Sequence, residues 1–266
     1  MIKLVASDLD GTLITSEYNK NDINPKMFDH IRELKKHGIV FAAASGRQYA
    51  NIRNVFAPLA DEIDYVCENG ALVVHNGEIV FKDVIDRKEG EDLISRILSF
   101  DKAEFLLSGV DTCYISPRTE AYYDRIANRL KNVATVIDDI SEVTEDFIKI
   151  SMYYPEGISE EIHSYFDKLC ADGTYTNLTC ALGGSQWLDF FHKTVHKGTA
   201  LKILQDFVPC DKSETMVFGD NENDIGLMRG AEYSYCMVSG NEKTKAEAKF
   251  LTSDVTETLG KFIAKL

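Results

Sequence analysis

Residues 2–13 of the chain, IKLVASDLDGTL, decide its fold, because an apolar run leads directly into two closely spaced carboxylates. The compact run at 2–6 is typical of a strand that is buried on both faces of a parallel sheet. Residues two apart point to the same side of an extended chain, so we expect Asp8 and Asp10 to face one pocket. Open α/β sheets bind ligands beyond the carboxyl ends of their strands, and this pocket is therefore a candidate functional site.

The pairing of Asp8 and Asp10 favours a bound cation. Two neighbouring carboxylates repel each other, which suggests either a cation between them or a shared proton. Hard oxygen ligands supplied by few residues favour Mg²⁺ over Zn²⁺. A bare pair of aspartates is more often a solvated turn, but here a strand, the two carboxylates, Gly11 and Thr12 coincide, which favours a site.

The first 67 residues alternate short apolar runs with amphipathic segments. A helix is predicted between Pro25 and Gly38, followed by buried strands at 39–44 and 65–67 with a helix at 47–56 between them. Strands and helices that alternate with short links indicate an α/β sheet with right-handed crossovers.

The pattern changes near residue 70. A hairpin is predicted at 71–81, and helical stretches then alternate with adjacent strand pairs to about residue 185, which suggests an inserted α+β domain. The predicted elements of this domain are helices at 88–99, 118–131 and 158–171, and strands at 103–108, 112–116, 146–153, 174–181 and 186–191. The α/β pattern resumes after residue 192, with helices at 198–207, 222–229, 243–249 and 255–264, and strands at 214–218 and 233–238. We therefore predict a discontinuous core domain, 1–82 and 189–266, and an inserted cap domain, 83–188.

Two further positions are predicted to bring anion-binding groups to the same edge of the sheet. Ser45 and Gly46 follow a buried strand and precede a helix, where a hydroxyl and free backbone N–H groups suit a phosphate oxygen. A Ser-Gly pair in this place is more often only a cap and a turn. Lys197 begins a predicted helix, and it is a candidate for anion binding only because the other motifs are also present.

The stretch after the strand at 214–218 is rich in acidic and amide groups. Asp220 is placed to complete a metal site with the two N-terminal aspartates. Asn223 can donate to a phosphate oxygen, whereas Asp224 is expected to support the metal ligands rather than touch the metal. A solvated capping cluster is the alternative for this stretch taken alone.

Composition and charge narrow the choice of partners. The 266 residues include 29 Lys+Arg and 43 Asp+Glu, a formal net charge of −14. This argues against nucleic acid or an anionic membrane as the main partner, but a few positive groups and a metal ion suffice to bind a small anion. The six cysteines form no C-x-x-C pair, and no apolar stretch resembles a signal peptide or a membrane span, so we expect a cytoplasmic protein.

In order and spacing, these four groups of residues resemble the motifs of the haloacid dehalogenase (HAD) superfamily of phosphohydrolases, and the insertion resembles the type IIB cap of its Cof-type phosphatases. The resemblance covers essentially the whole chain. It implies a Rossmann-like parallel-sheet core with an inserted α+β cap. It also implies Mg²⁺-dependent hydrolysis of a small phosphorylated metabolite, either a sugar phosphate or a phosphorylated cofactor, through an aspartyl-phosphate intermediate.

The resemblance implies roles for individual residues as well. Asp8 is implied as the nucleophile and Asp10 as the general acid and base. Mg²⁺ is implied to be held by Asp8, the backbone carbonyl of Asp10, and Asp220. The implied phosphate contacts come from Ser45, Lys197, Asn223 and the backbones of Leu9 and Gly46. Ser45 stands where the family commonly has Thr, and because the hydroxyl is retained we expect the same role.

Two other functions are compatible with the same motifs. A sugar phosphomutase of this fold returns the phosphoryl group to its substrate, and a catalytically silent protein would only bind a phosphorylated ligand. Intact motifs favour the phosphatase, and the net charge disfavours a nucleic-acid phosphatase. Candidate readers of the leaving group lie on the turn 183–185 with Trp187, although a packed aromatic is the more common role of such a residue. The motifs specify neither the physiological substrate nor the oligomeric state.

Overall fold

The computed structural model describes residues 1–15 and 23–266 of the chain. The described residues form two compact units. The core unit contains Met1–Arg47, Ile52–Phe81 and His196–Leu266, and the inserted unit contains Gln48–Asn51 and Lys82–Val195. Each unit is built around a β-sheet of its own.

The elements are numbered separately for strands and helices, in chain order. The strands are β1 (Leu4–Ser7), β2 (Val40–Ala44), β3 (Asp64–Cys67), β4 (Leu72–His75), β5 (Glu78–Lys82), β6 (Glu104–Ser108), β7 (Cys113–Ile115), β8 (Ala134–Val136), β9 (Lys149–Tyr153), β10 (Leu178–Leu182), β11 (Trp187–His192), β12 (Thr215–Gly219), β13 (Tyr233–Met237) and β14 (Phe250–Thr252). The helices are α1 (Lys26–Lys36), α2 (Tyr49–Val55), α3 (Arg87–Ser99), α4 (Glu120–Asp124), α5 (Glu160–Ala171), α6 (Lys197–Phe207), α7 (Ile225–Gly230), α8 (Glu242–Glu247) and α9 (Val255–Ile263).

The sheet of the core unit has β1 near its centre. Over the described residues its order is β14-β13-β12-β1-β2-β3-β4-β5, with β1 parallel to both β2 and β12, and β3 antiparallel to β4. All of β1 is buried, as its apolar sequence predicts. From β1 the chain passes to β2 on one side, and it returns on the other side with β12. The carboxyl end of β1 is thus the switch point at which such sheets bind ligands. The prediction of an α/β fold with a parallel-sheet core is confirmed.

Helices cover the core sheet. α6 and α7 pack against one face, in a cluster that includes Ala42 and Ala44 of β2. The alternate residues Phe41 and Ala43 are also buried, so the opposite face of β2 is covered too. α1 lies against β2 and α9. None of the helices in the described residues combines the length and the apolar character that a membrane span requires.

The sheet of the inserted unit is largely antiparallel. In the described residues its order is β10-β11-β9-β6-β7-β8, with β9 antiparallel to both β6 and β11. α3 and α5 pack against one face, in a cluster that includes Phe105, Ile150 and Phe190 of the three central strands. α4 packs through Tyr122 against Leu106, whose side chain points to the opposite face.

The inserted unit departs from the predicted elements at its second helix. The sequence predicts one helix over 118–131, but α4 ends at Asp124 and the chain continues as a wider π-helical turn over Arg125–Arg129. This turn accompanies the packing of the Arg125 guanidinium 4.6 Å above the ring centre of Tyr153. The sequence also does not predict two edge strands of three residues, β8 in this unit and β14 in the core unit, and each of them has two exposed residues.

Candidate active site

Asp8 and Asp220 emerge side by side from two neighbouring strands. Asp8 follows β1, and its backbone N–H donates to the carbonyl of Phe218 on β12 at 3.0 Å. Because Ser7 is in register with Phe218, the residue that follows β12, Asp220, lies close to Asp8. The side chain of Asp8 is 8% exposed, so its carboxylate is removed from most of the solvent.

Lys197 brings a buried positive charge to these carboxylates. It is the first residue of α6 and is fully buried. Its Nζ donates to Oδ1 of Asp8 at 2.5 Å and to Oδ1 of Asp224 at 2.6 Å. Burial alone would lower the pKa of Lys197, but the two carboxylates outweigh burial and raise this pKa above the usual lysine value. The amine is therefore held as an ammonium ion.

Two glycines set the distance between Lys197 and Asp224. A Cβ on Gly198 would lie 2.7 Å from the Cα of Gly226, and a Cβ on Gly226 would lie 2.9 Å from the nitrogen of Gly198. Both distances are shorter than a real Cβ tolerates, so only glycine fits at either position. Lys197 begins α6 and Asp224 directly precedes α7, so this close approach of the helices brings the two charges into contact.

Asp8, Asp220 and Asp224 form a cluster of carboxylates. Each offers an oxygen atom that lies within 4.8 Å of the other two. Asp224 is the most heavily engaged, because its Oδ2 also accepts the backbone N–H groups of Asp220 (3.0 Å) and Asn221 (3.1 Å). Burial raises the pKa of Asp8 and of Asp220 above the ordinary carboxyl value, against the opposing effect of Lys197 on Asp8. One ammonium among three carboxylates leaves excess negative charge.

A hard divalent cation fits this cluster. Its donors are carboxylate oxygens, which are the ligands that Mg²⁺ prefers, and a cation would offset the excess charge. Thr12 holds Asp220 in place by donating from Oγ1 to Oδ1 at 2.9 Å. The chain passes so close to Asp220 that a Cβ on Gly11, which has a φ of +89°, would lie 2.4 Å from Oδ2. Only glycine therefore permits this arrangement.

Asp10 takes a different direction from the other aspartates. Its carboxylate receives two hydrogen bonds from Arg47, from Nε to Oδ2 at 2.8 Å and from Nη2 to Oδ1 at 2.5 Å. The side chain of Asp10 is 55% exposed and that of Arg47 is 19% exposed. The structure thus brings the carboxylate of Asp10 to Arg47 and not into the cluster of Asp8, Asp220 and Asp224.

Three of the predicted phosphate-binding residues lie beyond the ends of two strands, Ser45 and Gly46 after β2 and Asn223 after β12. Ser45 is buried, and its Oγ accepts the N–H of Arg47 at 3.2 Å. A Cβ on Gly46 would lie 3.1 Å from the amide of Asn69, whose Oδ1 accepts Nδ2 of Asn223 at 3.0 Å. Asn69 therefore joins Gly46 to Asn223. Leu9, whose backbone is the remaining predicted contact, has a fully buried side chain next to Asp8.

Asn69 and Arg47 are the residues that the sequence analysis missed. Glu68 and Asn69 adopt positive φ values of 50° and 57° after β3. In this turn the N–H of Asn69 donates to the carbonyl of Ser45 at 3.0 Å, and the N–H of Glu68 donates to that of Arg47 at 3.1 Å. For Asn69 the sequence does carry a signal, because Glu68 and Asn69 are a polar pair directly after a buried strand, as Asp8 is a polar residue directly after β1.

Comparison with known proteins identifies the class to which this fold and site belong. The profile of the haloacid dehalogenase-like hydrolase family matches residues 5–262, nearly the whole chain. The chain therefore belongs to the haloacid dehalogenase-like hydrolases. The family prediction is confirmed, and with it the assignment of the protein to the hydrolases.

Individual relatives match along almost their whole length. The chain is 27% identical over 249 residues to 5-amino-6-(5-phospho-D-ribitylamino)uracil phosphatase YbjI of Escherichia coli (strain K12), covering 94% of this chain and 90% of that protein. The crystal structure of SMU.1108c from Streptococcus mutans UA159 superposes with a TM-score of 0.82 at 25% identity, covering 99% of this chain and 100% of that one. The HAD subclass IIB sugar phosphatase BT4131 shares the fold, with a TM-score of 0.77 at 19% identity and 98% coverage of both chains.

Proposed function

We propose that the protein is a Mg²⁺-dependent phosphatase that acts through an aspartyl-phosphate on Asp8. The observation that carries the proposal is the 2.5 Å contact between the carboxylate of Asp8 and the fully buried amine of Lys197. A buried ammonium beside this carboxylate supplies positive charge where the nucleophile would otherwise repel a phosphoryl dianion. The phosphatase activity in the name of the E. coli relative supports the same chemistry.

The proposed reaction has two steps. In the first, a carboxylate oxygen of Asp8 attacks phosphorus in line, the bond to the leaving oxygen breaks, and Asp10 gives that oxygen a proton. In the second, water attacks phosphorus, Asp10 takes a proton from the water, and the bond between Asp8 and phosphorus breaks to release phosphate. The groups proposed to hold the phosphoryl oxygens are Ser45, Lys197, Asn223 and the backbone N–H groups of Leu9 and Gly46.

The metal ligands in this proposal are Asp8, the backbone carbonyl of Asp10, and Asp220. Asp224 orients this set through its bonds to Lys197 and to the backbone of Asp220. When bound, the Mg²⁺ ion supplies positive charge that offsets the charge of the transferring phosphoryl group.

We further propose that the substrate is a small phosphorylated metabolite, a sugar phosphate or a phosphorylated cofactor, and that residues 83–188 form the cap that selects it. The E. coli relative is named for a phosphate ester on a ribityl chain, which is a compound of this kind. The six cysteines are free thiols, as expected for a protein of the reducing cytoplasm, where we place it. A turnover screen of phosphorylated metabolites that measures free phosphate tests the substrate class and separates hydrolysis from isomerisation.

The Asp8→Asn variant tests the proposed chemistry with p-nitrophenyl phosphate and Mg²⁺. We expect turnover to fall about a thousandfold or more, because the amide cannot form the acyl phosphate. Rapid denaturation during turnover should trap phosphate on the unmodified protein and not on the variant. Asp206→Asn is a matched control, since this carboxylate on α6 is 63% exposed and pairs only with Lys202 among the described contacts. An Asp8→Asn enzyme that turns over at nearly the original rate would overturn the proposal.

A further inference from the structure

We propose that Arg47 is a positioning residue that orients Asp10 as the base for the attacking water in the second step. The inference rests on the proposed function and deepens it. Arg47 lies next to the predicted phosphate-binding pair Ser45 and Gly46, but the motifs themselves give it no role.

The geometry of the pair is that of a clamp. Two adjacent N–H groups of the Arg47 guanidinium each donate to a different oxygen of Asp10, at 2.8 and 2.5 Å, which is the bidentate arrangement that gives direction as well as strength. The less exposed side chain, Arg47, holds the more exposed one. A carboxylate that is 55% exposed would otherwise exchange among rotamers, so the clamp selects one of them.

Arg47 is itself held by the ends of two strands. Its backbone N–H donates to Oγ of Ser45, and its carbonyl accepts the N–H of Glu68. Ser45 directly follows β2, and Glu68 directly follows β3, so the backbone of Arg47 is tied to the sheet that also carries Asp10 after β1. Through Arg47, the core sheet therefore constrains the orientation of the exposed side chain of Asp10.

The clamp leaves Asp10 able to act as a base. Each carboxylate oxygen has two lone-pair sites, so an oxygen that accepts one N–H from Arg47 can still accept the proton of a water molecule. As the water oxygen bonds to phosphorus, its proton passes to Asp10 and the bond from phosphorus to Asp8 breaks. Arg47 receives no proton in this step; it keeps the base in the orientation that the transfer needs.

The test uses p-nitrophenyl phosphate, whose leaving group departs readily without a proton. The rate of turnover then depends more on the second step than on the first. In Arg47→Gln we expect kcat to fall about tenfold or more, a part of the 10²- to 10⁴-fold that a general base supplies. The fraction of Asp8 that carries phosphate at steady state, trapped by rapid denaturation, should rise. Arg47→Lys keeps the charge but loses the planar fork, so it should recover only part of the rate. Asp10→Asn should show the same pattern, and combining it with Arg47→Gln should add little.

Arg53→Gln is the matched control, because Arg53 pairs with Asp61 at 2.7 Å and is not part of the proposed site. It should leave both kcat and the phosphorylated fraction unchanged. Three results would each overturn the inference. The first is a normal kcat in Arg47→Gln, and the second is a slow Arg47→Gln enzyme with a lower phosphorylated fraction. The third is a double variant whose loss of kcat is the product of the losses in Arg47→Gln and Asp10→Asn. Melting curves check folding, and if Arg47→Gln does not fold then Arg47→Lys decides by the same readouts. Turnover in Asp8→Asn would overturn the proposed function itself, whereas an inactive Asp8→Asn with an unaffected Arg47 variant would overturn only the role of Arg47.

Discussion

The core unit and the inserted unit both bury charged side chains, but they place them differently. In the core unit, Asp8, Lys197 and Asp224 are buried beyond the strand ends, where a parallel strand and two helix starts converge. In the inserted unit, Lys149 and Asp189 lie on the sheet itself, 3.5 Å apart. Ser151 donates to the other oxygen of Asp189 at 2.6 Å, from the position directly opposite it on the neighbouring strand.

The two clusters differ in how clearly the sequence marks their residues. At the strand ends, each charged residue follows an apolar run or begins a helix, so a short motif marks it. On the sheet of the inserted unit, Lys149 and Ser151 alternate with the apolar residues Ile150 and Met152 and meet Asp189 only through strand register. We therefore expect the cluster of the core unit to depend on where strands end and helices begin. The cluster of the inserted unit should depend on strand pairing.

The largest effect that distinguishes the two clusters is expected from Lys197→Met. This change leaves Asp8 and Asp224 buried without their cation, so in the absence of divalent ions the free energy of unfolding should fall by about 3–5 kcal/mol. Turnover of p-nitrophenyl phosphate with Mg²⁺ should also be lost. Lys149→Met, at the longer 3.5 Å contact, should cost only about 1–2 kcal/mol. Equilibrium urea unfolding measures both variants, and equal losses would contradict the contrast between the clusters.

Gly11→Ala is expected to have the next largest effect, because the added Cβ meets Asp220 at 2.4 Å in a backbone with positive φ. The free energy of unfolding should fall by about 2–4 kcal/mol, and Mg²⁺ should bind more weakly because Asp220 is displaced. Gly38→Ala is the control, since Gly38 also has positive φ, +71°, but among the described residues no atom beyond its chain neighbours lies within 4 Å of its added Cβ. It should cost about 1–2 kcal/mol and leave Mg²⁺ binding unchanged, as measured by calorimetric titration. Normal Mg²⁺ affinity in Gly11→Ala would show that Asp220 is not a ligand.

The smallest of the three effects is a change of metal-dependent stability with pH. Burial raises the pKa of Asp8 and Asp220, so without a cation the folded protein binds more protons than the unfolded chain above the ordinary carboxyl pKa of about 4. Stability contributed by these groups then falls as the pH rises through their raised pKa values. A cation needs both carboxylates deprotonated, so the rise in melting temperature caused by Mg²⁺ should be small near pH 4 and should grow as the pH rises through that window. KCl at equal ionic strength is the control, and a Mg²⁺ effect that does not change with pH would count against the cluster as the metal site.

Much of the fold and part of the site could be predicted from the sequence, because the necessary information is local. Asp8 directly follows a strand that is buried throughout, and Lys197 is the first residue of an amphipathic helix. The family prediction rests on such positions and is confirmed by the profile match. The roles assigned to the individual site residues remain predictions, for which the geometry supplies the tests above.

The parts that could not be predicted depend on contacts between distant segments. Arg47 meets Asp10 across 37 positions of sequence. Asn69 reaches Asn223 across 154 positions, and only because the turn after β3 has two residues with positive φ. The π-helical turn after α4 likewise accompanies a contact of Arg125 with Tyr153, which lies on the distant strand β9. No periodicity or spacing within a single segment carries this information.

The contact between Gly198 and Gly226 fixes a distance within the charged site. The distance from the ammonium of Lys197 to the carboxylate of Asp224 is governed by how closely two helix backbones approach, and two missing methyl groups set that approach. The strength of the local electric field is therefore coupled to a packing distance several atoms away from any charge. A larger residue at either glycine would therefore change the separation of the two charges without removing either of them.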